Sequence, residues 1–248
     1  MKIINKNNLL DFLISLCFFI FLVCFPIDLL SKNIYVIYSF QIIVRIIFII
    51  YILLYLMFKK KLFVISVKGK LNDLFFIPFL LIVFNNLIFL LFKQKEVGFT
   101  YDFTFILQII LTITVSISEE LLFRVYIHNI LNINNKILKI IISSLIFGLF
   151  HIVYFLSSFD PYDLIIIIYT FGLGLVLGFV YEFSENNFIY IIIIHFLFNF
   201  LNKDLFLRLF NGTNDYIFYI VSIIVSLITL IYGLLIYFMY FKNRKINN

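Results

Sequence analysis

Eight stretches of this chain are nearly unbroken runs of apolar residues, at about 9–29, 34–58, 74–92, 103–131, 137–156, 162–182, 187–202 and 216–241. A helix needs roughly 20 apolar residues to cross the hydrocarbon core of a bilayer, so each run is long enough, some only marginally. The runs do not alternate apolar with polar residues, which a membrane β-barrel requires. Short polar breaks separate them: Ser31 to Asn33, Lys59 to Lys61, Lys93 to Glu96, Asn132 to Lys136, Ser157 to Asp163, Ser184 to Asn187 and Lys203 to Asp215. The pattern predicts an all-α, polytopic transmembrane helical bundle of about eight spans. It forms a single membrane domain over 1–248, with no internal repeat and no break long enough to divide it. Composition agrees: 64% of residues are hydrophobic and 13% charged. A soluble domain carries about a quarter charged residues, so that class is excluded, and a disordered chain with it.

The net charge of +6 is not a nucleic-acid signal in a chain this apolar. It reads through the loops instead, because Lys and Arg collect on the cytoplasmic side. With both termini inside, 13 of the 19 basic residues fall on the inner side, five on the outer side, and Arg45 within the second run. That asymmetry predicts an integral cell-membrane protein with both termini cytoplasmic. The first run follows Lys2 and Lys6 like a signal segment, but no small-residue cleavage site comes after it, so it is expected to stay as a helix. Cys17 and Cys24 share one face of that helix and make no disulfide or metal pattern.

Ionisable groups inside a bilayer are expensive and mark either function or a buried pair. Among the acidic residues, Glu119, Glu120 and Glu182 lie within apolar runs. His151 and His195 lie deep in runs five and seven, and Asn199 stands one helical turn after His195. At about 1.5 Å per residue, Glu119 and Glu120 lie about 16–18 Å from the run end at Leu131. His151 lies about 21 Å from Ile137, His195 about 12 Å from Asn187, and Asn199 about 18 Å from it. Three helices can therefore bring these groups together near mid-membrane, as an active site requires and as a structural polar knot also would.

Helical faces divide the roles. Glu120 and Arg124 are four apart and share a face, so they can pair. Glu119 is rotated about 100° from Glu120 and can point elsewhere. Phe147 shares a face with His151 and can brace its ring. His195 and Asn199 share a third face. Glu119 with His151 could activate a water as general base, and His195 with Asn199 could stabilise the oxyanion of acyl transfer. That is amide hydrolysis, without a nucleophilic Ser or Cys at a matching position. No cofactor is required for it. The same Glu119, His151 and His195 could instead hold Zn²⁺ with an open position for water, although the H-E-x-x-H pattern of common zinc proteases is absent.

At these residues the chain resembles the CPBP family, the type II CAAX prenyl endopeptidases and bacteriocin-processing intramembrane proteases. The first motif, E-E-x-x-x-R, stands as Glu119-Glu120-Leu121-Leu122-Phe123-Arg124. The second, F-x-x-x-H, stands as Phe147-Gly148-Leu149-Phe150-His151, and the third, H-x-x-x-N, as His195-Phe196-Leu197-Phe198-Asn199. Any one could arise by chance in an Ile/Phe-rich chain; three in order on three runs are specific. The stretch from Gly172 to Glu185, with Gly174, Gly178 and Tyr181-Glu182, also looks like the family. The resemblance covers about 103–202, the motif-bearing core. Two positions depart from it: Val125 replaces the usual glycine after the motif arginine, and Ser184-Glu185-Asn186-Asn187 replaces a Thr-Gly-type turn.

The resemblance implies an intramembrane endopeptidase in which Glu119 activates water with His151, while His195 and Asn199 donate to the oxyanion. Glu120, Arg124 and Phe147 take supporting roles. The expected partners are membrane lipid and a peptide or lipidated protein substrate, with no nucleic acid. Peptide processing, bacteriocin self-immunity and membrane-protein turnover all use such chemistry. The rivals from other classes are a non-enzymatic immunity or scaffold protein and a small proton-coupled transporter. Outside the motifs, Asn85, Asn86 and Arg45 are expected to hydrogen-bond between helices, Gly174 and Gly178 to form a close packing face, Lys59–Lys61 to anchor topology, His128 to lie at the inner surface, and Glu182 to end its span there.

Overall fold

An apolar chain in lipid has no hydrophobic force to gather its helices, so close packing and polar contacts between helices must do it. The computed structural model describes residues 6–24, 31–58, 78, 80–84, 103–131, 133–159, 161–184, 186–201, 220, 223–235 and 238. These are all-helical, with no strand among the described residues. Helix α1 is Lys6–Cys24, α2 Ile34–Phe58 and α3 Phe103–Glu120. The chain then continues without a break as a π-helical segment, Leu121–Ile127, and a short α4, His128–Ile130. Helix α5 is Lys136–Phe150, α6 Ile152–Ser158, α7 Pro161–Phe183, α8 Phe188–Asn199 and α9 Ile223–Leu235.

Among the described residues, three helical stretches are long and apolar enough to cross a membrane: Ile34–Phe58, Phe103–Ile127 and Leu164–Glu182. Leu10–Phe21, Phe188–Asn199 and Ile223–Leu235 are apolar but shorter. Most of the expected run at 74–92 lies outside the described residues, as do Asn85, Asn86, Lys59–Lys61 and the breaks at 93–96 and 203–215. The run expected over 137–156 is not one straight helix. It breaks at His151 between α5 and α6.

The second helix shows how lipid and protein divide one apolar helix. Arg45, Phe48, Ile52 and Leu56 are buried at helical spacing, while Ile43, Ile47, Ile50, Leu54 and Met57 are exposed. Hydrophobicity on both faces is what a helix with protein on one side and acyl chains on the other needs. The centre of the molecule is the α3–π unit, packed by α2, α5 and α8, with α7 against α5, α6 and α8. Every residue of the π segment is buried. A π turn widens the helix and is frequent at functional sites; here it directly follows Glu119 and Glu120.

Glycine brings α7 against α5. A Cβ at Gly178 would lie 2.8 Å from Ile140 Cγ2, and one at Gly174 would lie 3.1 Å from both Phe147 Cδ1 and Ser144 Cβ. Only a residue without a side chain lets these backbones approach so closely. On the other side of α7, a Cβ at Gly172 would meet the backbone of Leu230 in α9 at 2.8 Å.

Asparagine starts two of the helices. The Asn135 side chain accepts from Ile137 N and Leu138 N, and the Asn187 side chain from Ile189 N and Tyr190 N. Each satisfies backbone donors that a helix start otherwise leaves unpaired. The turn between α7 and α8 closes with Asn186 N donating to the Tyr181 carbonyl at 2.8 Å. Asn186 has φ 65°, a left-handed conformation that Asn tolerates better than most residues. The departure from a glycine-containing turn is thus accommodated by asparagine, and the turn still fixes where α8 begins.

Candidate active site

The last residues of α3, Ser118, Glu119 and Glu120, are buried, and so are Arg124 and His195. An uncompensated charge there would cost several kcal/mol or take up a proton, so each needs a partner. The partners form a row. Arg124 Nε lies 3.3 Å from Glu120 Oε2. Glu120 Oε1 lies 2.7 Å from His195 Nδ1. His195 Nε2 lies 3.8 Å from Glu119 Oε2. Glu119 Oε1 lies 3.7 Å from Arg45 Nη1. The 100° rotation between the two glutamates gives each its own cation, and His195 on α8 bridges them.

Arg124 is held on three sides. Besides Glu120, its Nη2 donates to the Gly174 carbonyl at 2.9 Å and its Nη1 to Ser143 Oγ at 3.4 Å. The guanidinium also sits over the Phe147 ring, 5.5 Å from the centroid. The glycine face of α7 therefore serves the site directly: it brings a backbone carbonyl within reach of a buried arginine.

Phe147 joins the motifs. Its ring meets that of His151 edge-on at 5.1 Å, that of His195 at 6.0 Å and that of Phe123 at 4.9 Å. His151 stands at the joint between α5 and α6. Its backbone N–H donates to the Gly148 carbonyl at 3.0 Å, one residue short of the α-helical partner. The carbonyl thereby released, that of Phe147, is 2.9 Å from His151 Nδ1. A carbonyl only accepts, so Nδ1 carries the proton and, in the neutral ring, Nε2 is the accepting nitrogen. The four-residue spacing of F-x-x-x-H thus fixes both ring orientation and tautomer.

The structure brings Glu119, Glu120, Arg124 and His195 into direct contact. Phe147 ties His151 to the same cluster, but no Glu119–His151 ion pair is present. Asn199 ends α8, half-buried, one turn beyond His195. No side-chain hydrogen bond of Asn199 occurs among the described residues. Two contacts were not foreseen in the sequence. One is the hydrogen bond from His195 to Glu120. The other is Arg45, which reaches Glu119 and donates to Ser118 Oγ at 3.0 Å. A signal for the second existed: an arginine in mid-span needs a carboxylate, and Glu119 was a mid-run carboxylate still without a cation.

A second polar group lies at the other end of α7. Glu182 is 2.9 Å from both His128 Nε2 and Lys136 Nζ. His128 is buried there against Tyr181. Among the described residues, no three His, Cys, Asp or Glu side chains are placed to hold one metal ion. The set Glu119, His151 and His195 is not gathered in that way.

All three motifs fall within residues 101–201, which match the family model described as type II CAAX prenyl endopeptidase Rce1-like. No curated protein and no solved structure matches the chain. The apolar helices and this match together make the chain an integral membrane protein. The family whose model matches residues 101–201 is the one the three motifs resemble.

Proposed function

We propose that the chain is an intramembrane endopeptidase that hydrolyses a peptide bond of a membrane-associated or lipidated peptide. The family match supports a protease of the CAAX type, and the name of that family makes prenylated C-terminal peptides the first substrates to try. The observation that carries the catalytic reading is the placement of Glu119. It is a buried carboxylate whose two oxygens lie 3.7 and 3.8 Å from Arg45 and His195. Those separations exceed a direct hydrogen bond, so its lone pairs are not consumed by either neighbour.

In the proposed reaction the Glu119 carboxylate takes a proton from water as the water oxygen bonds to the peptide carbonyl carbon. The carbonyl electrons move onto oxygen, and His195 and Asn199 donate to the oxyanion. Collapse re-forms the carbonyl and breaks the C–N bond, and the proton held by Glu119 passes to the leaving nitrogen. His151, with its proton on Nδ1, accepts from the attacking water through Nε2. His195 donates through Nε2 only as imidazolium, since its neutral Nδ1–H serves Glu120. Glu120 orients that ring, and Arg124 balances Glu120.

The test is cleavage of a pool of farnesylated and unmodified membrane peptides by purified protein, wild type beside Glu119→Gln, with and without chelator. Products from wild type alone, insensitive to chelator, support the scheme. Loss with chelator, restored by Zn²⁺, would replace it with a metal site. Cleavage by Glu119→Gln at the wild-type rate would remove Glu119 from the chemistry.

A further inference from the structure

The row of buried charges begins outside the family match. Arg45 belongs to α2, and the matched segment starts at residue 101. Its Nη1 donates to Ser118 Oγ at 3.0 Å, and the Ser118 hydroxyl donates in turn to the Val115 carbonyl at 2.9 Å. The guanidinium also lies 5.8 Å from the centre of the Phe19 ring in α1. These contacts aim one nitrogen at Glu119 Oε1, 3.7 Å away.

Before His195 takes up the proton that it needs to donate to an oxyanion, the charges in the row balance only if Arg45 is counted. Facing Glu119 are Arg45 from α2 and His195 from α8, with Glu120 and then Arg124 on its own helix. With neutral His195, two arginines offset two carboxylates. Without Arg45 the row carries a net negative charge in a medium that tolerates none. A carboxylate stranded in this way is neutralised by taking up a proton, and a protonated Glu119 cannot act as a base.

We propose that Arg45 is a positioning residue of the site, holding the Glu119 carboxylate in place and balancing its charge from a helix that carries none of the family motifs. The proposal rests on the catalytic reading of Glu119. It gives the motif-free first part of the chain a role in the reaction. Phe19 and α1 then stand behind Arg45, and α2 is part of the catalytic unit as well as the lipid-facing wall.

The experiment compares Arg45→Met and Arg45→Lys, each in the wild-type and Glu119→Gln backgrounds, by reversible unfolding in bicelles and by pH–rate profiles of peptide cleavage. In unfolding, Arg45→Met is expected to cost clearly less in the Glu119→Gln background, because no carboxylate is then left unpaired. Equal losses in both backgrounds overturn the pairing. In cleavage, Arg45→Met is expected to lower kcat about ten-fold or more at neutral pH while KM moves less than about two-fold. The acidic limb of its profile should move upward by about one pH unit or more. Arg45→Lys should recover a large part of both. An unmoved limb, or a raised KM with unchanged kcat, overturns the positioning role. If Arg45→Met does not fold, Ser118→Ala loosens Arg45 without removing its charge. It should move the limb the same way by less, and an unmoved limb there overturns the proposal. If wild type cleaves nothing, the catalytic reading of Glu119 falls and the role of Arg45 with it, while the unfolding cycle still decides the ion pair.

Discussion

Arg124→Met gives the sharpest structural test, because Arg124 and Glu120 are both fully buried. At 3.3 Å and an effective dielectric near 20, their Coulomb attraction is about 5 kcal/mol. Desolvation offsets much of that in the folded protein, but removing one partner leaves the other charged and unpaired, at a cost of about 3–5 kcal/mol. The substitution also strips the Gly174 carbonyl of its side-chain donor. Methionine keeps most of the volume, so little of the loss would come from a cavity. Adding Glu120→Gln removes the stranded charge, and the double variant should be more stable than Arg124→Met alone, with a coupling of about 2 kcal/mol. The assay is reversible unfolding in bicelles for wild type, both single variants and the double variant. A loss below about 1 kcal/mol for Arg124→Met would place the pair with exposed ion pairs. That result, or strict additivity, would refute the view that this pair anchors the site.

Gly174→Ala would push a Cβ to 3.1 Å from Phe147 Cδ1 and Ser144 Cβ, at a cost of about 1–3 kcal/mol. Because Phe147 touches both histidines, cleavage should fall more than in Gly233→Ala, which is as crowded but lies against Leu175 and the Gly172 carbonyl; equal cleavage at matched stability would contradict this. At the other end of α7, Glu182→Gln should cost about 1–3 kcal/mol by leaving buried His128 poorly paired. Lys136→Met should cost under about 1 kcal/mol, since Lys136 is 57% exposed. Thermal unfolding of the two variants checks the order, and a larger loss for Lys136→Met would reverse the assignment.

Much of the site could be read from spacing. The four-residue step from Glu120 to Arg124 put both on one face, and the one-residue step from Glu119 to Glu120 turned the carboxylates apart. Both follow from helix geometry, which is local. The glycine face of α7 was legible for the same reason. Contacts between helices distant in the chain were not. Nothing in the sequence says that His195 donates to Glu120, because rotation of α8 against α3 depends on packing along both helices. Arg45 carried a signal in its cost, but not the identity of its partner. The π segment left no trace either, since Leu121–Ile127 is apolar apart from Arg124 and Tyr126, too few polar positions from which to read its period. The break at His151 was hidden similarly: the apolar residues continue through it, and only the bond between His151 and the Phe147 carbonyl marks the joint.

The most direct measurement is the rate at which purified wild type and Glu119→Gln cleave one identified peptide in bilayers, with unfolding of both followed in parallel. Gln keeps the size and polarity of the side chain but cannot accept a proton from water. A loss of about 10²-fold or more with unchanged stability is expected of a general base. A Glu119→Gln variant that folds and cleaves within about ten-fold of wild type would show that Glu119 is not the base and that the row of buried charges serves only to hold the helices together.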